Sequence, residues 1–328
     1  IVGAFTSVQS VMETRTSQGA VAWAVSLNTI PYVAVPAYWT IGRTKFNGYV
    51  KKRREKIEET SPQIRRFVNL ARSGRFLVPE PVMDSELMER LAKLPATVGN
   101  DVQLLTNGEE IFPSLFDGID RAKQYLLAQF YIVRDDGLGG EFKRRLIDAA
   151  GRGVRVVFLY DEIGCYQLPA SYLDELRNGG VSVSAFNTTR GRANRFQINF
   201  RNHRKVLVID GREAWVGGAN IGDEYLHRHP RLTPWRDTML RVEGPAVQTI
   251  QVPFWEDWYW ASGELLELVW APQAASSGVS MGVLCLPTGP ADRFETCALY
   301  FLNRINSARE RLWIASPYFV PDEQVVSA

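Results

Sequence analysis

The first regular feature of the chain is a long apolar segment without charge. Residues 16–42 contain no charged side chain, and residues 19–42 are long enough, as a helix, to cross the hydrocarbon core of a bilayer. Trp23 and Trp39 lie towards its ends, as interfacial anchors do. With the apolar residues 1–12, the pattern predicts a two-helix membrane hairpin; the alternative is a buried helical hairpin of a soluble protein.

A strongly basic run follows the apolar segment directly. Residues 43–56 read RTKFNGYVKKRREK and carry seven Lys or Arg side chains. Such a run is often only a solvated helix face. Its position just after an apolar span favours retention on the cytoplasmic side of a membrane, beside anionic lipid head groups.

From residue 101 the pattern changes to alternating strands and helices. Residues 102–106 and 154–160 read as strands, and residues 111–124 and 140–153 have helical spacing. Another strand and helix follow the segment 199–225. Alternation of this kind predicts a parallel-type sheet with helices on its faces.

A weak internal repeat appears towards the end of the chain. Ile119 and Lys123 have counterparts in Ile305 and Arg309, and strand, helix and strand recur in the same order. We therefore expect the chain to begin a second copy of its own first lobe. Both ends resemble cut ends, since the chain opens inside an apolar run and stops soon after a strand-like one.

Composition narrows the class of protein without identifying it. The 328 residues include 45% hydrophobic and 23% charged side chains, as is ordinary for globular proteins. Thirty-eight basic and 36 acidic residues nearly cancel, which argues against a dedicated duplex-DNA-binding domain. The three cysteines have no CxxC spacing and predict reduced, incidental thiols.

The candidate chemistry lies in residues 199–225, NFRNHRKVLVIDGREAWVGGANIGDEY. In a strand, His203, Lys205, Leu207 and Ile209 point to one side, and Arg204, Val206 and Val208 point to the other. An imidazole and an ammonium therefore stand together. Asp210 and Gly211 predict a turn that brings Asn220 back towards the histidine. A site that combines an imidazole, a cation, a side-chain amide and glycine backbone N–H groups suits phosphoryl chemistry. The alternative is an ordinary histidine at the end of a strand.

These residues resemble the phospholipase D superfamily. HRKVLVID fits the pattern HxKxxxxD, and GGAN completes the HKD signature. The flanking WRDT, FYIVRDD and SPYFVPDE resemble bacterial cardiolipin synthases more than other members. The resemblance implies a phospholipase D-like mixed sheet flanked by helices, with a pseudo-twofold two-lobe architecture whose second lobe is truncated, preceded by an N-terminal transmembrane helical hairpin.

The resemblance also implies roles for individual residues. His203 corresponds to the histidine that either attacks phosphorus or protonates the leaving group, and Lys205 and Asn220 correspond to the phosphate-holding positions. Asp210 corresponds to the motif aspartate, which holds the turn and the local charges. A further carboxylate usually orients the imidazole; Asp237 is the first candidate and Glu224 the second.

The family works with two HKD motifs, and this chain has one. The other histidines, His227 and His229, lack the pattern, and as a metal pair they have no supporting His or Cys cluster. From the repeat we expect the second motif at about position 390. A homodimer is the other way to complete the site.

The resemblance implies a phosphatidyltransferase that makes cardiolipin and glycerol from two phosphatidylglycerol molecules through a phosphatidyl-histidine intermediate, without a metal or organic cofactor. The rivals are a phospholipase D or phosphatidylserine synthase-like enzyme, a superfamily nuclease, and an inactive membrane scaffold. The expected location is the bacterial cytoplasmic (inner) membrane, multi-pass, with the catalytic part in the cytoplasm. The domains are an anchor (1–42), a basic linker region (43–98), a first lobe (99–270), a linker (271–280) and the start of a second lobe (281–328).

Two further segments have more than one interpretation. Residues 188–204 concentrate arginines beside the motif, interleaved with Phe196 and Phe200; lipid phosphates are favoured over nucleic acid as their partner because of the nearby anchor. Residues 254–260, FWEDWYW, either place an amphipathic face in the membrane interface or pack a helix into the core.

Overall fold

The computed structural model describes residues 1–14, 17–42, 62–79, 85–186, 201–289, 292, 295–316 and 321–328. The basic run 43–56 and most of the arginine-rich segment, including Phe196 and Phe200, lie outside these residues. Within them the helices are α1 (Val2–Glu13), α2 (Ser17–Thr29), α3 (Pro31–Ala37), α4 (62–73), α5 (Ser85–Ala92), α6 (Asn107–Arg121), α7 (Gly137–Gly151), α8 (Ala170–Asn178), α9 (Ala246–Ser262), α10 (Thr296–Ser307) and α11 (Glu323–Ser327).

The strands are β1 (Thr97–Thr106), β2 (Tyr125–Phe130), β3 (Arg155–Asp161), β4 (Ser182–Phe186), β5 (Val206–Ile209), β6 (Glu213–Gly217), β7 (Thr238–Glu243) and β8 (Met281–Val283). In the described part of the chain they form one sheet in the order β4-β3-β2-β5-β6-β7-β1-β8. β2, β3 and β4 are parallel, and the pairs from β2–β5 to β1–β8 are antiparallel.

The sheet is therefore mixed, as the resemblance implied, and not the parallel type that strand and helix alternation alone predicted. The reason is the connection lengths. A helix returns the chain between β2 and β3 and again between β3 and β4, whereas a three-residue turn (210–212) joins β5 to β6 and forces them to run antiparallel.

Two apolar cores lie on opposite faces of the sheet. One contains the buried sides of α6, α7 and α8, and the other contains α9 and α4. The side chains of β5 alternate between them: Leu207 and Ile209 enter the first core, and Val206 and Val208 enter the second. The alternation predicted for this strand is confirmed, and it holds the strand at the centre of a sandwich of helices.

The segment 254–260 lies inside α9. Phe254, Trp255 and Trp258 are at most 2% exposed and pack in the second core, so the core-packing interpretation of these side chains is confirmed. The same turn of helix buries Asp257 completely. A buried carboxylate on an apolar helix requires compensating donors, which lie near the motif histidine.

The N-terminal region differs from the expected pair of continuous spans. The apolar stretch 19–42 breaks at Ile30, where Pro31 begins α3, and ends in a π-helical turn at Tyr38–Gly42. Proline at the first helical position has no N–H to continue the ladder of α2, so the helix stops there. Of the helices that the structure describes, none combines the length and apolar content needed to cross a bilayer.

The region expected to open a second lobe is also different in detail. β8 pairs with β1 at the edge of the first sheet, with Met281 opposite Asn100. α10 follows as expected, but residues 308–316 are not a strand. Since a strand is stabilised by hydrogen bonds to a neighbour, an apolar run that pairs with no strand among the described residues remains irregular.

Candidate active site

His203 and Lys205 lie just before the first residue of β5. The backbone of 201–205 is irregular, so strand alternation does not place these two side chains. They meet nonetheless: the Lys205 Nζ lies 3.4 Å from the His203 Nδ1 and donates a hydrogen bond to the His203 carbonyl oxygen at 2.7 Å. The predicted pairing of imidazole and ammonium is present, although the strand begins after it.

Tyr131 forms the floor beneath both groups. Its ring stacks on the imidazole of His203, with 3.8 Å between ring centroids and 29° between the planes. The Lys205 ammonium lies 5.1 Å from the centre of the same ring, within the range of a cation–π interaction. Arg201 donates a hydrogen bond to the Tyr131 hydroxyl at 3.4 Å. The aromatic ring thereby fixes one face of the imidazole and leaves its edge towards solvent.

The electrostatic setting favours neutral imidazole. Desolvation against the protein, followed by the charges of Lys205 and Arg201, lowers the pKa of His203. Burial lowers the pKa of Lys205 to about 8, and the carboxylates of Asp237 and Asp161 oppose this shift. His203 is therefore available as a base or nucleophile at neutral pH, and Lys205 supplies a positive charge that is sensitive to mild alkali.

The Asp237 carboxylate packs against the backbone just after the end of β6. The space beside the Gly218 Cα is filled by this carboxylate, because a Cβ added there would be 2.1 Å from the Asp237 Oδ1. This close approach explains why the second residue of GGAN, Gly218, is a glycine. The Asp237 carboxylate also accepts a hydrogen bond from the Thr238 N–H at 2.8 Å. Its electrostatic effect on Lys205 places it beside the motif.

Glu224 and Asn220 are engaged elsewhere. Glu224 is 3% exposed and accepts a hydrogen bond from the Arg134 Nε at 2.7 Å. Asn220 accepts from the Ile132 N–H at 2.9 Å and donates to the Tyr225 hydroxyl at 2.9 Å. Of the two carboxylates expected to orient the imidazole, Asp237 acts on the charge of Lys205, whereas Glu224 is paired with Arg134. Both ends of the Asn220 amide hold protein groups.

Asp210 lies at the far end of β5 from His203. Its carboxylate accepts three backbone hydrogen bonds, from the N–H groups of Lys123, Gln124 and Tyr125 at 2.9, 2.7 and 2.8 Å. Its own φ is +53°, in the left-handed region that the turn to β6 requires. This geometry agrees with the expected turn-holding function of the motif aspartate. The Asp210 carboxylate links the end of β5 to the start of β2, and we call this link the clasp.

The other two histidines, His227 and His229, make contacts with residues outside the motif. The His227 Nε2 is 3.5 Å from the Glu109 Oε1, and its Nδ1 accepts from the Trp235 N–H at 3.2 Å. The His229 Nδ1 accepts from the Arg231 N–H at 3.2 Å. In the described part of the chain no group of three His, Cys, Asp or Glu side chains could hold a metal ion.

Four residues at this site were not found by sequence reasoning as site residues: Tyr131, Asp161, Asn202 and Asp257. Asn202 is 7% exposed, and the N–H of Asn202 donates to the Asp161 Oδ2 at 2.8 Å. The Asn202 amide donates to the Asp257 Oδ2 at 2.6 Å. The sequence offered a signal for the two aspartates only. Asp161 ends a buried strand, and Asp257 lies inside an apolar helix.

Comparison with known proteins decides the family. Residues 115–258 match the family model described as "Cardiolipin synthase, PLD-like domain". Cardiolipin synthase A of Pseudomonas aeruginosa is 44% identical over 333 residues, which cover 100% of this chain and 67% of that protein. Cardiolipin synthase A of Pseudomonas syringae is 44% identical over 335 residues, covering 100% and 69%. The chain belongs to the cardiolipin synthase family. It is a phosphatidyltransferase of that family, and spans about two thirds of the length of these curated relatives.

Solved structures show more distant similarity. Nuc of Salmonella typhimurium, titled a phospholipase D family member, is 17% identical with a TM-score of 0.35, covering 49% of this chain and 96% of that one. A phosphatidylserine synthase of Haemophilus influenzae is 16% identical with a TM-score of 0.38, covering 51% and 37%. Similarity at this level has no bearing on substrate.

Proposed function

We propose that this cardiolipin synthase family member transfers a phosphatidyl group from one phosphatidylglycerol to the hydroxyl of another, giving cardiolipin and glycerol, and that His203 acts as the nucleophile. The supporting observation is the juxtaposition of a His203 imidazole of lowered pKa with the Lys205 ammonium, 3.4 Å apart. Neutral imidazole attacks phosphorus, and a nearby cation neutralises the non-bridging oxygens.

The transfer takes place in two successive displacements at phosphorus. In the first, the His203 Nε2 forms a bond to phosphorus while the bond from phosphorus to the glycerol oxygen breaks, and glycerol leaves with a proton from a general acid. In the second, the hydroxyl of another phosphatidylglycerol gives up its proton to the conjugate base, attacks phosphorus, and breaks the phosphorus–nitrogen bond. The general acid is assigned to the second HKD motif expected from the family pattern.

A nucleophilic Nε2 requires the imidazole proton on Nδ1. That nitrogen faces the Lys205 Nζ in this structure. We infer that the Lys205 ammonium turns to the phosphate when substrate arrives, which frees Nδ1 to donate to a carboxylate. Asp237 is the proposed acceptor, because its carboxylate lies beside the same motif and already acts on the charge of Lys205.

We also propose that α1, α2 and α3 insert into the membrane as an anchor. These helices pack on one another around a mixed interior, in which Leu27 and Ala34 are buried in a small apolar cluster. Polar side chains are buried there as well: the Asn28 Nδ2 donates to the Ser7 Oγ at 3.0 Å. Apolar side chains face outward; they include Phe5, Val8, Val21, Val25 and Val33, each more than half exposed. Polar side chains between the helices and apolar side chains on their outer faces suit lipid surroundings. The location proposed is the bacterial inner membrane, with the site on the cytoplasmic side.

The test uses the full-length protein in phosphatidylglycerol vesicles. Substitution His203→Ala is expected to lower cardiolipin formation by about a thousandfold or more, because the step that forms the phosphorus–nitrogen bond is lost. His203 is exposed, so stability should change by only about 0.5 kcal/mol. Retained turnover in a folded variant would overturn the assignment; glycerol release without cardiolipin would favour the phospholipase D alternative.

A further inference from the structure

Asp257 collects hydrogen bonds from the residues on both sides of His203. It is 0% exposed on α9. Its Oδ2 accepts from the Asn202 Nδ2 at 2.6 Å and from the Gln129 Nε2 at 3.0 Å, and it forms an ion pair with the Arg204 guanidinium. A carboxylate so deeply buried is stable only with such donors, and three of them converge on one oxygen.

Asp161 holds the same segment from the other side. It is 1% exposed at the last residue of β3, and its Oδ2 accepts from the Asn202 N–H. Its Oδ1 accepts from the N–H groups of Ile163 and Gly164 at 2.9 and 2.8 Å. Asn202 is thus held through its backbone by β3 and through its side chain by α9.

The segment is also tied internally. The Arg204 N–H donates to the Asn202 Oδ1 at 3.2 Å, so the two residues that flank His203 are linked to each other as well as to Asp257. His203 lies between them with an exposed side chain. These contacts, together with the hydrogen bond from Lys205 to the His203 carbonyl, give this irregular segment a defined backbone.

We propose that Asp257 and Asp161 form a carboxylate clamp that fixes the backbone of 202–204 and thereby positions the His203 imidazole for reaction. The two aspartates are positioning residues, since they contact the neighbours of His203 and not the imidazole. The proposal rests on the proposed function for its kinetic consequence, but the predicted order of the imidazole does not depend on turnover. Small displacements of a nucleophile have large kinetic effects, because reaction requires near-attack geometry.

The experiment compares Asp257→Asn with wild-type full-length protein in phosphatidylglycerol vesicles. Asparagine keeps the shape and one acceptor oxygen but removes the charge that pairs with Arg204. We expect kcat per folded molecule to fall at least tenfold with KM within twofold, because the clamp acts on the reacting group and not on lipid binding. We also expect the acid limb of kcat/KM to move to lower pH, because the cation of Arg204 is no longer balanced beside His203.

A second readout is independent of activity. Diethyl pyrocarbonate modifies neutral imidazole, and peptide mass spectrometry follows its rate at His203 with His229 of the same molecule as internal reference. Asp257→Asn is expected to raise the His203 rate severalfold as the ring leaves its stack on Tyr131. The matched control is Asp148→Asn, which removes an exposed carboxylate paired with Arg144 and should change neither readout.

The outcomes separate the two proposals. If His203→Ala is inactive while Asp257→Asn keeps wild-type kcat and modification rate, the clamp is overturned and the proposed function stands. If His203→Ala is active, the proposed function fails, and the clamp is then judged by the modification rate alone: a severalfold rise supports it, and an unchanged rate overturns it. A lowered yield of folded Asp257→Asn with unchanged kcat per folded molecule also overturns it.

Discussion

At the scale of single residues, opposing effects act on the pKa of Lys205. Lys205 is 7% exposed, and burial lowers its pKa to about 8 despite the opposing carboxylates of Asp237 and Asp161. His203 is shifted in the same direction by desolvation, Lys205 and Arg201. Both pKa values are therefore lower than usual, and neutral imidazole with charged ammonium is the dominant pair from the lowered pKa of His203 up to about pH 8.

These shifts predict a bell-shaped dependence of kcat/KM on pH. The acid limb should lie below the ordinary histidine pKa of about 6.5, because a lowered pKa keeps the imidazole neutral to lower pH. The alkaline limb should lie near pH 8, where Lys205 loses its proton and with it the charge that binds phosphate. Initial rates in phosphatidylglycerol vesicles between about pH 5 and pH 10 would measure both limbs.

Two variants test the assignment of the alkaline limb. Asp237→Asn removes a charge that raises the pKa of Lys205, so the limb should move to lower pH. Lys205→Arg should remove the limb from the accessible range, since a guanidinium stays protonated, although kcat should also fall because Arg presents its charge differently. An alkaline limb that stays in place in both variants would contradict its assignment to Lys205.

At the scale of elements, the β5–β6 hairpin carries the motif and Asp210 attaches it to β2. The antiparallel register pairs Val206 with Val216 and Ile209 with Glu213, so the hairpin closes directly over Asp210 and Gly211. Two of the three turn residues, Asp210 and Gly211, have positive φ, +53° and +64°. The same aspartate therefore makes the turn and receives the three N–H groups that begin β2.

This geometry predicts that Asp210 contributes more to stability than to chemistry. Asp210→Ala leaves three backbone donors without their carboxylate and places alanine at a positive φ, so the free energy of unfolding should fall by about 2–4 kcal/mol. Asp210→Asn keeps an acceptor oxygen and tolerates the turn, and should cost about 1–2 kcal/mol. Urea unfolding measures both, and kcat per folded molecule should change by less than in His203→Ala. Equal stability of the two variants and wild type would contradict the clasp.

At the scale of the whole molecule, the sheet region and the helices α1 to α3 differ in which side chains they expose. In the sheet region, the apolar side chains of β5 and the flanking helices are inside, in two cores on either face of the sheet. In α1 to α3, Thr6, Ser7 and Ser10 are buried together with an apolar cluster that includes Leu27 and Ala34, and several valines and Phe5 are exposed. The exposed apolar side chains of the helices are the observation on which the proposed membrane anchor rests.

The outward face predicts lipid binding that can be weakened without unfolding the site. Phe5→Asn combined with Val25→Asn removes two exposed apolar side chains of the helices. We expect the variant to sediment with phosphatidylglycerol vesicles at least severalfold less than wild type, because each buried apolar side chain contributes about 1.5–3 kcal/mol. Leu104→Asn, at an exposed position of β1, is the matched control and should leave sedimentation unchanged. Equal vesicle binding of all three proteins would contradict the anchor.

Much of the candidate site could be predicted from the sequence because the informative signals are local. The pattern HxKxxxxD, the Asp210–Gly211 turn and the return through GGAN depend on residues within twenty positions of one another. Periodicity of two likewise assigned Leu207 and Ile209 to one face of β5 and Val206 and Val208 to the other. Short-range sterics and burial determine these features, so a single sequence contains them.

Other features are decided only by tertiary structure. Asp257 and Asn202 are 55 positions apart, and Asp161 and Asn202 are 41 apart, so no local pattern indicates that they are hydrogen-bonded. The same holds for Tyr131 beneath His203, and for the choice of antiparallel pairing between β2 and β5. The sequence by itself determined which residues are proposed to carry the chemistry, because their types and spacing are local properties. The fold decided which buried carboxylates and which aromatic ring hold them, because those contacts exist only after distant segments pack.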